Sequence, residues 1–105
     1  LVYELRARVF YSQERYEEAA TDHALAVEID PNNATLYNNL ADSRMLAGNF
    51  ELALGTIDTA LRLDPNLGIA HYTKGEILEK MGRLDAANES FTRAAELNFT
   101  ADSIE

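Results

Sequence analysis

Apolar and small residues recur along the chain at three-to-four spacing, the mark of amphipathic helices. Between Tyr16 and Ile29, for instance, Ala19, Ala20, His23, Ala26 and Val27 fall on one stripe. Followed through the chain, stripes and breaks predict six helices in three pairs. The first pair covers Leu1 to about Gln13 and Arg15-Tyr16 to about Ile29. The second covers about Ala34 to Ala47 and about Glu51 to Leu63, and the third about Gly68 to Met81 and about Leu84 to Leu97. Gly48 and Gly82 sit inside the second and third pairs, where a tight turn calls for a positive φ. Glu14 takes that place in the first pair, which implies a less tightly specified turn. Pro31 and Pro65 stop the second helix of their pairs. Phe99 stands at the third such place without the ring constraint, so that helix could run on, or Thr100 to Glu105 could begin a fourth unit.

The pairs are copies of one another. Ala26-Val27-Glu28-Ile29-Asp30-Pro31-Asn32 returns 34 positions later as Ala60-Leu61-Arg62-Leu63-Asp64-Pro65-Asn66, and again as Ala94-Ala95-Glu96-Leu97-Asn98-Phe99-Thr100. Tyr3, Tyr37 and His71 align at the same offset, as do Ala7, Ala41 and Gly75, then Tyr16, Phe50 and Leu84, then Ala19, Ala53 and Ala87. A fixed period of this length means stacked supersecondary units. The small columns let paired helices approach closely, and the aromatic column fills the wider gaps.

Tyr37-x-x-Leu40-Ala41, Ala53-x-x-x-Ile57, Ala60 and Pro65 in this frame resemble the tetratricopeptide repeat. The third copy matches with His71, Gly75, Leu78, Ala87, Phe91 and Ala94, and the first with Tyr3, Ala7, Phe10, Ala19 and Ala26. The resemblance implies an all-α, right-handed superhelical solenoid of three helix-turn-helix repeats. It forms a single domain over residues 1–105, with repeats at about 1–33, 34–67 and 68–101; residues 102–105 are a tail or the start of a further repeat. A chain that opens at Leu1, inside the first repeat frame, reads as a piece of a longer protein.

Composition narrows the partners. The chain has 105 residues, 47% of them hydrophobic, and a formal net charge of -9. Such an excess of carboxylates argues against nucleic acid, whose binding rests on Lys and Arg neutralising phosphates, and against docking on an anionic membrane. No apolar run approaches the roughly 20 residues of a membrane span. A neutral or basic protein segment is the easier match. With no cysteine there is no thiolate chemistry and no reading of the redox compartment; localisation stays open.

Enzymatic chemistry finds little support. Only two histidines occur, His23 and His71, and both stand in structural columns. They are expected to be neutral and packed in the core, so that stability falls as they charge at acid pH. They lie in separate repeats, which speaks against a metal site, and no phosphate-binding glycine loop is present. No cofactor is expected.

The resemblance places the site elsewhere, in a concave groove lined by the first helix of each repeat. Carried over column by column, the candidates are Glu4, Arg8 and Tyr11; Asn38, Asn39, Asp42 and Met45; and Ile69, Tyr72, Thr73, Glu76, Glu79 and Lys80. Amides such as Asn38 and Asn39 can pair with a peptide's main chain, while Tyr11, Met45 and Tyr72 offer apolar contact. The ionic members are four acids against two bases, which favours a segment carrying Lys or Arg. Family members that hold acidic chaperone tails use a clamp of two lysines, an arginine and two asparagines. The matching places here hold Glu4, Arg8, Asn39, Ile69 and Thr73, where only Asn39 agrees and Glu4 reverses the sign. The second reading is structural: end-to-end self-association through repeat faces left uncovered, at Tyr3 and Phe10 on one end and Asn88 and Ala95 on the other.

Overall fold

The apolar stripes become helices within about a residue of the expected bounds. In the computed structural model, which describes residues 2–97 and Phe99, they are α1 (Val2–Ser12), α2 (Tyr16–Ile29), α3 (Ala34–Leu46), α4 (Phe50–Leu63), α5 (Gly68–Lys80) and α6 (Leu84–Glu96). Each helix packs on the next, and α5 also touches α3. The result is an all-helical solenoid of three helix-turn-helix units with the odd-numbered helices along one side.

The small columns are where the paired helices meet. Ala7, Ala19, Ala41 and Ala53 are fully buried and Ala87 nearly so. At Gly75 a Cβ would lie 2.6 Å from the Phe91 ring, so the third pair approaches more closely than alanine allows. One core cluster joins Ala41, Met45, Ala53, Ile57, Ala60, Ala70 and Ile77. A second joins Ala26, Val27, Leu36 and Leu40, and Tyr37 packs against both.

The three turns within repeats share one geometry. The N–H groups of Arg15, Asn49 and Arg83 each donate to the carbonyl five residues back, Phe10, Arg44 and Leu78, at 2.9 Å. The preceding N–H groups, of Glu14, Gly48 and Gly82, donate three residues back. This is the Schellman closure, which needs a left-handed residue. Gly48 and Gly82 supply it at φ 89 and 78, and Glu14 adopts it at φ 60. The looser turn expected at Glu14 is therefore not found. Arg15 holds it, with its guanidinium 4.6 Å from the Phe10 ring centroid and paired with Glu18.

Between repeats, Asp30-Pro31 and Asp64-Pro65 end their helices, and the N–H groups of Asn33 and Leu67 donate back to Asp30 and Asp64. Asn33 then caps α3 by accepting from the Leu36 N–H at 3.3 Å. The third repeat closes differently. Helix α6 does not run on past Glu96; the Phe99 N–H returns to the Ala94 carbonyl at 2.8 Å, and its ring packs edge-on against Tyr72 at 5.5 Å. The expectation for Thr100 to Glu105 lies outside the described residues.

Two side chains differ from expectation. His71 is not a core residue: it is half-exposed, and its Nε2 donates to the Pro65 carbonyl at 2.8 Å. Its column holds tyrosine in the other repeats, and Tyr3 and Tyr37 are likewise only partly buried. Asp22, which composition alone would place on a solvated face, is buried. It accepts two bonds from Arg6, at 2.7 and 2.9 Å, tying α1 to α2, and the Arg6 guanidinium holds its carboxyl below the usual carboxylate range.

The Glu14 backbone gives a direct test. A left-handed non-glycine residue costs roughly 1–2 kcal/mol, and glycine loses roughly 0.5–1 kcal/mol more chain entropy on folding. Glu14→Gly is expected to gain about 0.5–1 kcal/mol, read as a higher urea midpoint at unchanged slope. An unchanged or lower midpoint would show that Arg15 already offsets the strain.

Candidate functional site

Helical geometry decides which of the expected residues reach the concave side. Successive residues turn by 100° about the axis, so Asn38 and Asn39 cannot share a surface. Asn39 is half-exposed, whereas Asn38 is buried. Met45 is buried in the central cluster, because the middle repeat is flanked on both sides; its counterparts Tyr11 and Glu79 are exposed. Thr73 is buried as well. Asn38, Met45 and Thr73 thus build the wall and do not offer the peptide contacts expected of them.

The remaining candidates lie at the surface. Arg8, Glu79 and Lys80 are exposed, and Glu4, Ile69, Tyr72, Asp42 and Glu76 are partly so. Arg8, Asp42 and Glu76 occupy one repeat column on the three odd-numbered helices. Tyr11 joins the first repeat to the second, its hydroxyl donating to Asp42 Oδ2 at 2.6 Å. Tyr72 closes the far end, its ring 5.3 Å from Phe91.

The electrostatics of this face follow from desolvation. Burial pushes the Asp42 carboxyl above its usual range, partly offset by the Tyr11 hydrogen bond. Glu76 is raised in the same way, further by the Asp42 charge, while Lys80 one turn on pulls it back. Tyr11 is raised strongly, first by burial and then by Asp42, with a smaller push from Glu76. Tyr72 is raised by burial and by Glu76 and Glu79. The concave side is therefore acidic, and its carboxylates are poorly compensated.

A pocket of ≈ 260 Å³ opens here, lined by Arg8, Tyr11, His23, Asn39 and Asp42. His23 reaches it from α2 and was not among the expected groove residues. Its column holds Ile57 and Phe91, which made it read as packing alone. The one signal available was a polar ring in an otherwise apolar column. No group of three or more His, Asp or Glu side chains among the described residues is arranged to hold a metal.

Residues 37–102 match the family model described as tetratricopeptide repeat, and residues 7–48 match a second model of the same repeat. The chain belongs to the tetratricopeptide repeat family. It is 34% identical over 93 residues to mouse DnaJ homolog subfamily C member 7, covering 89% of this chain and 19% of that protein. It is 27% identical over 95 residues to the STIP1 homolog of Dictyostelium discoideum, covering 90% and 17%. The chain thus spans about a fifth of the length of these relatives. In fold it superposes on the first TPR domain of Spaghetti (RPAP3), bound to the HSP90 peptide SRMEEVD, with a TM-score of 0.86 at 23% identity over 91% of this chain and 76% of that one. The Arabidopsis OM64 TPR domain gives 0.85 at 23%, over 91% and 79%.

Burial lowers the His23 pKa below its usual 6.5. A depressed histidine contributes stability that is present above pH 6.5 and lost as pH falls toward the folded value. Asp42, raised from 3.8, acts in the opposite sense: its contribution is complete below that value and lost as pH rises through the folded pKa. Thermal melts are expected to lose stability as pH drops below 6.5, and His23→Gln is expected to flatten that loss. Asp42→Asn is expected to raise the midpoint at neutral pH and not at pH 3. A wild-type profile flat from pH 8 to 5 would contradict the His23 assignment.

Proposed function

We propose that the concave face of α1, α3 and α5 binds an extended, neutral-to-basic segment of a partner protein, and that the chain acts as an interaction module rather than an enzyme. The observation that carries this is the half-exposed column of Asp42 and Glu76, two carboxylates raised by desolvation on a face that also presents Asn39 and Tyr72. Asn39 can hold a peptide main chain, and the Tyr72 ring supplies apolar area. The stack is preformed, so little ordering entropy is lost on binding, and modest contacts suffice for affinities of about micromolar.

The Spaghetti (RPAP3) domain binds a peptide with three acidic residues. At the places that correspond to an acidic-tail clamp this chain has Glu4, Arg8, Asn39, Ile69 and the buried Thr73, a set with one cation in place of three. The sign of the face supports a segment of opposite charge.

Display of random peptides on phage tests the reading. Binders selected on the wild type are expected to lose affinity for an Asn39→Ala, Glu76→Gln variant and to keep it for a Glu17→Gln, Glu51→Gln variant on the outer side. Binders indifferent to the first pair would move the site off the concave face. The exposed stripe of Val2, Leu5 and Val9 on α1 supports the second reading, end-to-end association. If no peptide is selected, and sedimentation gives a mass that grows with concentration in the wild type but not in Leu5→Lys, self-assembly replaces the groove.

A further inference from the structure

The pocket between α1 and α3 is built differently from the rest of the concave face. At ≈ 260 Å³ it exceeds several-fold the ~30 Å³ that one water occupies in the liquid, so it admits a side chain. Its floor carries two groups whose bonding is incomplete. Asp42 accepts from Tyr11, but no described cation forms an ion pair with it. His23 is only 4% exposed, and its Nδ1 has no hydrogen-bond partner. Buried polar atoms are nearly always satisfied. A carboxylate without an ion-pair partner on the lining of a pocket this size leaves room for a donor from outside.

The chemistry of that donor follows from the lining. Burial disfavours the charged form of the His23 ring, so it adds little positive charge to the lining. The Asn39 amide oxygen and the second Asp42 oxygen are acceptors, and the Tyr11 ring gives a π face. Glu76 lies near enough for the Asp42 charge to raise its pKa and adds negative potential. Several acceptors, one π face and uncompensated negative charge suit a cationic donor. Arg8 also lines the pocket and is exposed, so it competes with an entering cation. An acidic side chain could use Arg8, but it would have to approach a carboxylate that is already desolvated.

We propose that this pocket is a specificity subsite for a lysine or arginine side chain of the bound segment, paired with Asp42 and hydrogen-bonded by Asn39. The subsite rests on the concave-face reading but adds a requirement that face alone does not: one position of the partner must carry a positive charge.

Four pools of degenerate heptapeptides test it, identical except for a central arginine, lysine, citrulline or glutamate. Each is titrated into ¹⁵N-labelled protein while the amides of Tyr11, Asn39 and Asp42 and the His23 ring nitrogens are followed. The arginine and lysine pools are expected to bind about tenfold more tightly than the citrulline pool, as one charge-assisted bond warrants, and to shift the Asn39 side-chain amide signal. Asp42→Asn, which keeps an acceptor for Tyr11, is expected to abolish the difference between the pools. Arg8→Gln is expected to keep or widen it. Equal binding of the arginine and citrulline pools would overturn the subsite and leave the groove standing, as would an unchanged preference in Asp42→Asn. A lead for the glutamate pool, lost in Arg8→Gln, would assign the pocket to an acidic side chain instead. If no pool moves the concave signals, the groove and the subsite fall together. Because the comparison of arginine with citrulline is made on the wild type, the conclusion does not depend on how any variant folds.

Discussion

The distance to which paired helices can approach governs this molecule. Where α1 meets α2, α3 meets α4 and α5 meets α6, the small residues Ala7 and Ala19, Ala41 and Ala53, and Gly75 and Ala87 are all buried, and Gly75 lies against the Phe91 ring. A buried carbon contributes only about 0.8 kcal/mol by burial, whereas an added methylene in a full core costs about 1–3 kcal/mol. The columns are therefore set by excluding bulk more than by the apolar area they remove from water. Larger gains come from the side chains that close approach brings together: Ile57 and Ile77 are fully buried, each a contribution of about 1.5–3 kcal/mol. Tyr37 joins the two clusters, so the middle repeat shares its core with the first.

Close approach needs sharp turns of fixed geometry, and one left-handed residue per repeat supplies them. Gly48 and Gly82 do so freely; Glu14 does so at a cost, beside Arg15 stacked on Phe10. The Asp-Pro steps between repeats have the complementary task of ending one helix and aiming the next. Together they place α1, α3 and α5 side by side, and the concave face is a consequence of that spacing. The first repeat adds a cross-helix ion pair, Arg6–Asp22, which fastens α1 onto α2 at the end where Val2, Leu5 and Val9 remain open to solvent; in the second repeat Arg44 donates to Thr56 between α3 and α4.

The repeat frame was legible in the sequence because period, small columns and turn residues all point to the same architecture. The left-handed turns at Gly48 and Gly82 could be read from glycine alone. At Glu14 the side chain gave no such signal, and only the backbone bonds show that the turn is the same. The site was legible by column and not by depth. Tyr11, Met45 and Glu79 share a column, yet Met45 is buried because it has a repeat on either side, and no single-repeat pattern encodes that difference. Asn38 and Asn39 look alike as neighbours until 100° of rotation separates them. His23 shows the converse: its column marked it as packing, which is correct for burial, but its unpartnered Nδ1 is a property of three helices meeting, which no linear pattern records.

The acidic face makes the free protein less stable than its packing allows, and on the proposed reading the same free energy reappears as selectivity. Every unit by which burial raises a carboxyl's pKa disfavours the ionised form by about 1.4 kcal/mol. A cation that restores the ordinary pKa returns that amount to the bound state, since linkage requires the protonation and binding equilibria to agree. An acidic segment would meet charge of its own sign and gain nothing from Asp42 or Glu76. A rigid stack sharpens the contrast, because the carboxylates cannot relax away from one another at little cost: Asp42 is fixed by the Tyr11 hydroxyl and Glu76 sits in the middle of α5. A flexible loop with the same residues would spread its charges and lose most of this discrimination. Chemically unremarkable residues can thus select a partner by charge, provided the solenoid holds them where water cannot fully compensate them.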